Sequence, residues 1–126
     1  MKTAKLTLSL KRKWFEMTKA GIKTEDYREI NEYWMKRLLT KQSYEHYLSC
    51  KYSGGNEFEN GNFDIDYVDF KTFTNNVMTL GYPKSTDKER ILKLEHKGIK
   101  IRHGNPDWGA EPNKLYFVIK HGEIIL

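Results

Sequence analysis

The sequence predicts an α+β domain built on a curled sheet or small β-barrel, with five to six mostly antiparallel strands and two short helices near the N-terminus. Three observations lead there. Leu6, Leu8 and Leu10 alternate with Thr7 and Ser9, the period of two of a half-buried strand. From Lys11 the period lengthens to that of a helix, with Leu10, Trp14 and Met17 on one stripe and Arg12, Glu16 and Lys19 on another. The last third holds two apolar, β-branched runs, 91–101 and 115–126, each interrupted by a glycine.

The remaining elements follow from local chemistry. Gly21 fits a left-handed cap ending the first helix near Ala20, and a strand is expected from about Lys23. Asn31 reads as an N-cap, with Glu32 in the first turn of a helix carrying Tyr33, Trp34 and Leu38; Trp14 and Trp34 are assigned to the core. Residues 40–62 combine Tyr44, Tyr47 and Tyr52 with two glycine-asparagine clusters and read as a lid or a flexible insertion. Segment 63–74, with Val68 and Phe70 on one side, reads as a strand, and Gly81-Tyr82-Pro83 breaks the chain. Turns at 96–98 and at His121-Gly122 then make each late run a hairpin.

At 126 residues and 15.0 kDa the whole chain, 1–126, is expected to form a single domain. Its formal net charge of +5 favours anionic partners such as nucleic acid or phosphate-bearing small molecules. That excess is segregated: residues 1–23 hold seven cations against one carboxylate and residues 84–103 seven against three, while residues 24–83 hold six against ten. Two basic segments form one patch if the fold brings them together; the alternative is an ordinary lysine-rich solvated face on an adaptor. Cys50 is the only cysteine, which excludes an intrachain disulfide and a cysteine-based zinc site and suits a reducing cytoplasm. No stretch reaches membrane-spanning length, and the alternating N-terminus lacks the apolar run of a signal peptide, so no membrane partner is expected. Walker, dinucleotide-fingerprint, nucleophile-elbow and zincin motifs are absent, and no cofactor or metal is expected.

The segment from Gly21 to Arg28 carries the densest chemistry, with Lys23, Glu25, Asp26, Tyr27 and Arg28 in six positions. Buried unpaired charges cost several kcal/mol or more, so these groups either pair with one another or line a wet cleft, and the cleft is the expectation adopted. Gly21, Lys23, Asp26 and Arg28, with the Trp108-Gly109-Ala110-Glu111-Pro112 stretch ahead of a final strand, give the chain a resemblance to ASCH-domain proteins of the PUA-like superfamily. The family signature is Gly-x-Lys-x-x-Glu-x-Arg; Asp26 stands where the family has Glu, a carboxylate one methylene shorter.

The resemblance implies a small PUA-like β-barrel that binds RNA or a nucleotide-like ligand in a basic cleft. Gly21, Lys23, Arg28, Lys93, Arg102 and Trp108 would form the binding set, Trp108 by stacking on a base. The alternative is a small enzyme, either a metal-independent ribonuclease or an amidohydrolase on a modified nucleoside, with Lys23, Asp26 and Tyr27 as its catalytic groups. Some relatives that deacylate a modified cytidine pair the matched lysine with a threonine three residues on; that position here is Asp26, and Thr24 lies next to the lysine instead. His46, His96, His103 and His121 are scattered along the chain and read as surface or turn residues.

Overall fold

The computed structural model describes residues 5–52 and 68–125, and the chain divides into two compact units, one of residues 1–28 with 72–126 and one of residues 29–71. The elements are β1 (Leu6–Leu10), α1 (Arg12–Lys19), β2 (Glu25–Arg28), α2 (Glu32–Leu38), α3 (Lys41–Tyr52), β3 (Asn75–Leu80), β4 (Ile91–His103) and β5 (Leu115–Ile124), with short 3-10 turns at Lys88–Arg90 and Pro106–Trp108. The expected α+β class holds, with three α-helices among the described residues rather than the two expected.

The first unit is one curled, mixed sheet in the order β1-β3-β4-β5-β2. β1 pairs parallel with β3, Leu10 opposite Leu80, and the other pairings are antiparallel. Leu6, Leu8 and Leu10 of β1 lie on the inner face, as the alternation predicts, with Met78, Leu92, Leu94, Ile99, Phe117 and Ile119. At the two ends of the strand order β1 and β2 meet: the Arg28 guanidinium donates to the Ser9 carbonyl at 3.2 Å. Arg28, expected to hold a ligand, therefore ties the edges of the sheet. α1 packs on β1 and β3 through Phe15 and Thr18, while Trp14 and Met17 are only half-buried. The buried stripe lies one position on from the expected Trp14 and Met17, because Trp14 serves the loop after β4, where it covers Gly109.

Neither late run turns at its glycine. β4 continues through Gly98, whose φ of 109° is absorbed as an irregularity of the β4–β5 ladder between Leu94 and Ile99. At Gly122 an added Cβ would lie 2.4 Å from Glu95 Oε1, so this glycine permits a close approach within a continuous β5. The two runs form one long hairpin through residues 104–114, where Gly109 (φ 99°) and Asn113 (φ 60°) reverse the chain. The strand expected at 63–74 is displaced: residues 63–67 lie outside the described residues, Phe70 makes an isolated bridge to Leu39, and the ladder begins at Asn75.

In the second unit the Asn31 side chain accepts from the Trp34 amide at 3.0 Å, capping α2 as expected. Met35, Leu38, Leu39 and Tyr47 are buried, the Lys71 amide donates to the Leu38 carbonyl at 2.8 Å and the Thr40 amide to the Asp69 carbonyl at 2.9 Å. Trp34 is half-buried under Arg37, 4.7 Å above its ring. The first half of the lid or insertion expected at 40–62 is α3; residues 53–62 lie outside the described residues.

Candidate functional site

The glycine of the motif works on the backbone. Gly21 has φ 79°, its amide bonds the Thr18 carbonyl at 3.1 Å and the Ile22 amide bonds the Met17 carbonyl at 3.0 Å, the paired bonds of a Schellman ending. Lys23 then bonds Met17 as well and turns its side chain inward ahead of β2 rather than on it. The Gly-x-Lys spacing is thus the geometry of a helix stop that redirects the next cation into the sheet.

Lys23 and Asp26 are 2% and 3% exposed, and Lys23 Nζ stands 2.6 Å from Asp26 Oδ1. The pair is a buried ion pair, which corrects the expectation of a wet cleft. The other oxygen, Asp26 Oδ2, lies 2.6 Å from His121 Nε2 of β5. His121 Nδ1 lies 2.6 Å from Asn76 Nδ2 of β3, and Asn76 Oδ1 lies 2.7 Å from His96 Nδ1 of β4. Five side chains from four strands and the α1–β2 turn thus form one hydrogen-bonded row on the inner face. Burial alone would raise the Asp26 carboxyl, but the His121 hydrogen bond and the Lys23 ammonium hold it below its ordinary value. Burial pushes the Lys23 amine below the usual lysine range against the pull of Asp26, and burial and the nearby His121 lower His96. Trp14 and Tyr27 flank the ammonium, their ring centres 5.9 and 5.7 Å away.

The odd-numbered residues of β2 face the other way. Glu25 is paired with Arg102 of β4 and accepts from the Tyr27 hydroxyl at 2.7 Å; that hydroxyl accepts from the Asn105 amide at 2.9 Å. Burial, reinforced by the bond to Glu25, pushes the Tyr27 phenol well above its ordinary value, so Tyr27 is not poised to act as a base. Tyr27 packs on Tyr116, 5.7 Å between centres, and on Ala110 and Val118. Gly104 lies so close beneath Tyr27 that a Cβ would clash at 2.8 Å.

Of the other expected binding residues, Arg102 keeps a side chain 40% exposed beside Glu25, Lys93 is half-buried opposite Val77, and Trp108 is half-buried in the turn Pro106–Trp108. Arg102 is linked to Lys23 through Glu25, whose carbonyl accepts from Lys23 Nζ at 2.5 Å and whose carboxylate pairs with Arg102, whereas no contact joins Lys93 or Trp108 to Lys23 among the described residues. Sequence reading missed His121, His96 and Asn76, because separations of 45 and 95 residues carry no local signal. Trp108 and Tyr82 are the aromatics that the sequence offers as flat faces for a base, and of the two Tyr82 is the exposed one. That ring is 96% exposed just beyond β3, beside exposed Lys84, and the Leu10–Leu80 register brings exposed Lys11, Arg12 and Lys13 to the same end of the sheet. Among the described residues no group of three or more His, Cys, Asp or Glu is arranged to hold a metal, and no helix is long and apolar enough to cross a membrane. Comparison with protein-family models, curated proteins and solved structures found no match to this chain.

Proposed function

We propose that the chain is a PUA-like domain of the ASCH type that binds RNA or a nucleotide-like ligand on its basic outer surface. One observation carries this reading: a tyrosine left 96% exposed at the end of two parallel strands, with Lys84 on its own loop and Lys11, Arg12 and Lys13 from the neighbouring strand end. A bare aromatic face among cations is what an unpaired base and its phosphate require. Lys100 on the outer side of β4 extends the positive field, so long-range attraction reaches beyond the tyrosine, while Lys97 and Arg102 there are paired with Glu95 and Glu25. Lys23 contributes by holding the sheet, not by touching the ligand.

The test is fluorescence anisotropy of a labelled single-stranded oligoribonucleotide across a salt series. Affinity falls steeply with salt as phosphates are neutralised and counterions released. Lys84→Glu and Lys100→Glu weaken binding to many sequences alike, as phosphate contacts do. A flat salt response removes nucleic acid as the partner.

A second reading, an amidohydrolase or metal-independent ribonuclease, is favoured by a lysine of depressed basicity held against a carboxylate and two aromatic rings. Incubation with short RNAs and acylated nucleosides tests it: turnover that Lys23→Met abolishes while circular dichroism shows the variant folded supports the enzyme, and absence of turnover in the wild type leaves the binding domain.

A further inference from the structure

The row His96–Asn76–His121–Asp26–Lys23 is directional, and its direction is set by one group outside it. The Asn76 amide nitrogen lies 3.2 Å from the carbonyl oxygen of Lys120, which can only accept. That oxygen orients the carboxamide with its nitrogen toward β5 and its oxygen toward β4. His121 Nδ1 must then be bare to accept from Asn76, its proton sits on Nε2, and that proton is donated to Asp26. His96 must carry its proton on Nδ1 to donate to Asn76 Oδ1. The two histidines are opposite tautomers held by one amide.

We infer that the Asn76 carboxamide admits one imidazolium at a time into this interior: as oriented it permits a charge on His96 and forbids one on His121, and reversed it does the opposite. A proton added to His96 Nε2 leaves its Nδ1–H bond to Asn76 untouched. A proton added to His121 Nδ1 sets two donors against each other across 2.6 Å, which Asn76, 0% exposed, relieves only by turning end for end. Once turned, its oxygen accepts from His121, its nitrogen needs a bare His96 Nδ1, and His96 must be neutral with its proton on Nε2. Either state takes up one proton from solvent. A second proton finds no hydrogen-bond arrangement in the folded chain.

The groups around this pair carry both signs, the carboxylates favouring an added charge and the ammonium and guanidinium groups opposing it, so the exclusion rests on the hydrogen bonds of Asn76. Asp26 and Lys23 close one end of the row, with Glu25 and Arg28 beside Asp26 on β2; Glu95 and Lys97 flank His96 on β4, Lys120 precedes His121 on β5, and the Phe73 ring meets His96 edge-on at 5.4 Å. Reversal also costs the bond from Asn76 to Lys120, a side-chain tie between β3 and β5 across the intervening β4. Charging His121 therefore loosens the sheet, whereas charging His96 does not. Asn76 is in this sense a pH-responsive switch, independent of what the outer surface binds.

Nitrogen-15 NMR of the imidazole rings in the full chain, titrated from neutral pH toward acid, tests the inference. At neutral pH His121 reads as the Nε2–H tautomer and His96 as Nδ1–H. On acidification the pair takes up one proton while folded, and the second appears only with unfolding. Finding His121 as Nδ1–H at neutral pH, or both rings as imidazolium in the folded chain, overturns it. In Asn76→Ala the folded chain takes up a proton on each ring, the second opposed only by the charge of the first; should that variant not fold, the wild-type titration alone decides.

Discussion

His121 Nε2 lies 2.6 Å from Asp26 Oδ2 across a separation of 95 residues, while Lys23 Nζ lies 2.6 Å from the other oxygen of the same carboxylate. One short side chain on β2 is thereby satisfied from both sides, by a neighbour three residues away and by a ring from β5. Buried carboxylates are tolerated when their oxygens are occupied, and removing one donor exposes the full desolvation cost of the remainder.

Lys23→Met is expected to destabilise the chain by roughly 3–5 kcal/mol, because it leaves the buried Asp26 short of its counter-charge. Denaturant unfolding of wild type and variant measures this, and adding Asp26→Leu to Lys23→Met recovers part of the loss. A change below about 1 kcal/mol means that water reaches the orphaned carboxylate and the pair belongs to an open site.

Stability falls with acid in two stages. Both His96 and Asp26 are lowered in the folded chain, so the unfolded chain binds more protons in each window. The His96 contribution is present above its unfolded value near 6.5 and is lost as pH falls through its lower folded value; the Asp26 contribution is present above 3.8 and is lost below it. Unfolding midpoints measured at pH 7, 5 and 3 should decline in that order, and a midpoint that rises on acidification contradicts both shifts.

Tyr82→Ala should leave the melting temperature unchanged, since the ring is 96% exposed and buries nothing. Binding to single-stranded RNA should weaken by about 1–3 kcal/mol, the worth of one stacked base. Duplex RNA, whose bases are already stacked, should respond less. Equal affinity of wild type and variant for the single strand removes Tyr82 from the contact.

Gly109→Ala is expected to cost stability twice over. Its φ of 99° is a conformation that side chains avoid, and the new Cβ would stand 2.9 Å from the Trp14 ring. A loss of at least about 1–2 kcal/mol follows from the backbone alone, accompanied by altered tryptophan fluorescence as Trp14 is displaced. Gly21→Ala meets open space and bears only the backbone penalty, so the difference between the two variants measures the Trp14 contact.

What the sequence determined by itself is what short-range chemistry determines. The alternation at Leu6, Leu8 and Leu10, the glycine stop at Gly21, the Asn31 cap and the break at Gly81 depend on neighbours a few residues away, and each is found where the pattern puts it. Tertiary structure decided the rest. Gly98 and Gly122 look like turns in one dimension, yet the pairing of two long strands uses one as a ladder irregularity and the other as space for Glu95 and Lys97. Asn76 lies beyond the strand expected at 63–74 and becomes a fully buried link, because β3 lies between the apolar inner positions of β1 and β4. The charges of the Gly21–Arg28 motif were legible, but their fate was not: whether Lys23 meets water or Asp26, and whether Asp26 has a second partner, depends on His121 arriving from the last strand. A hydrogen bond forms between atoms that meet in space, and nothing local to residue 26 records which residue the curling of the sheet will deliver.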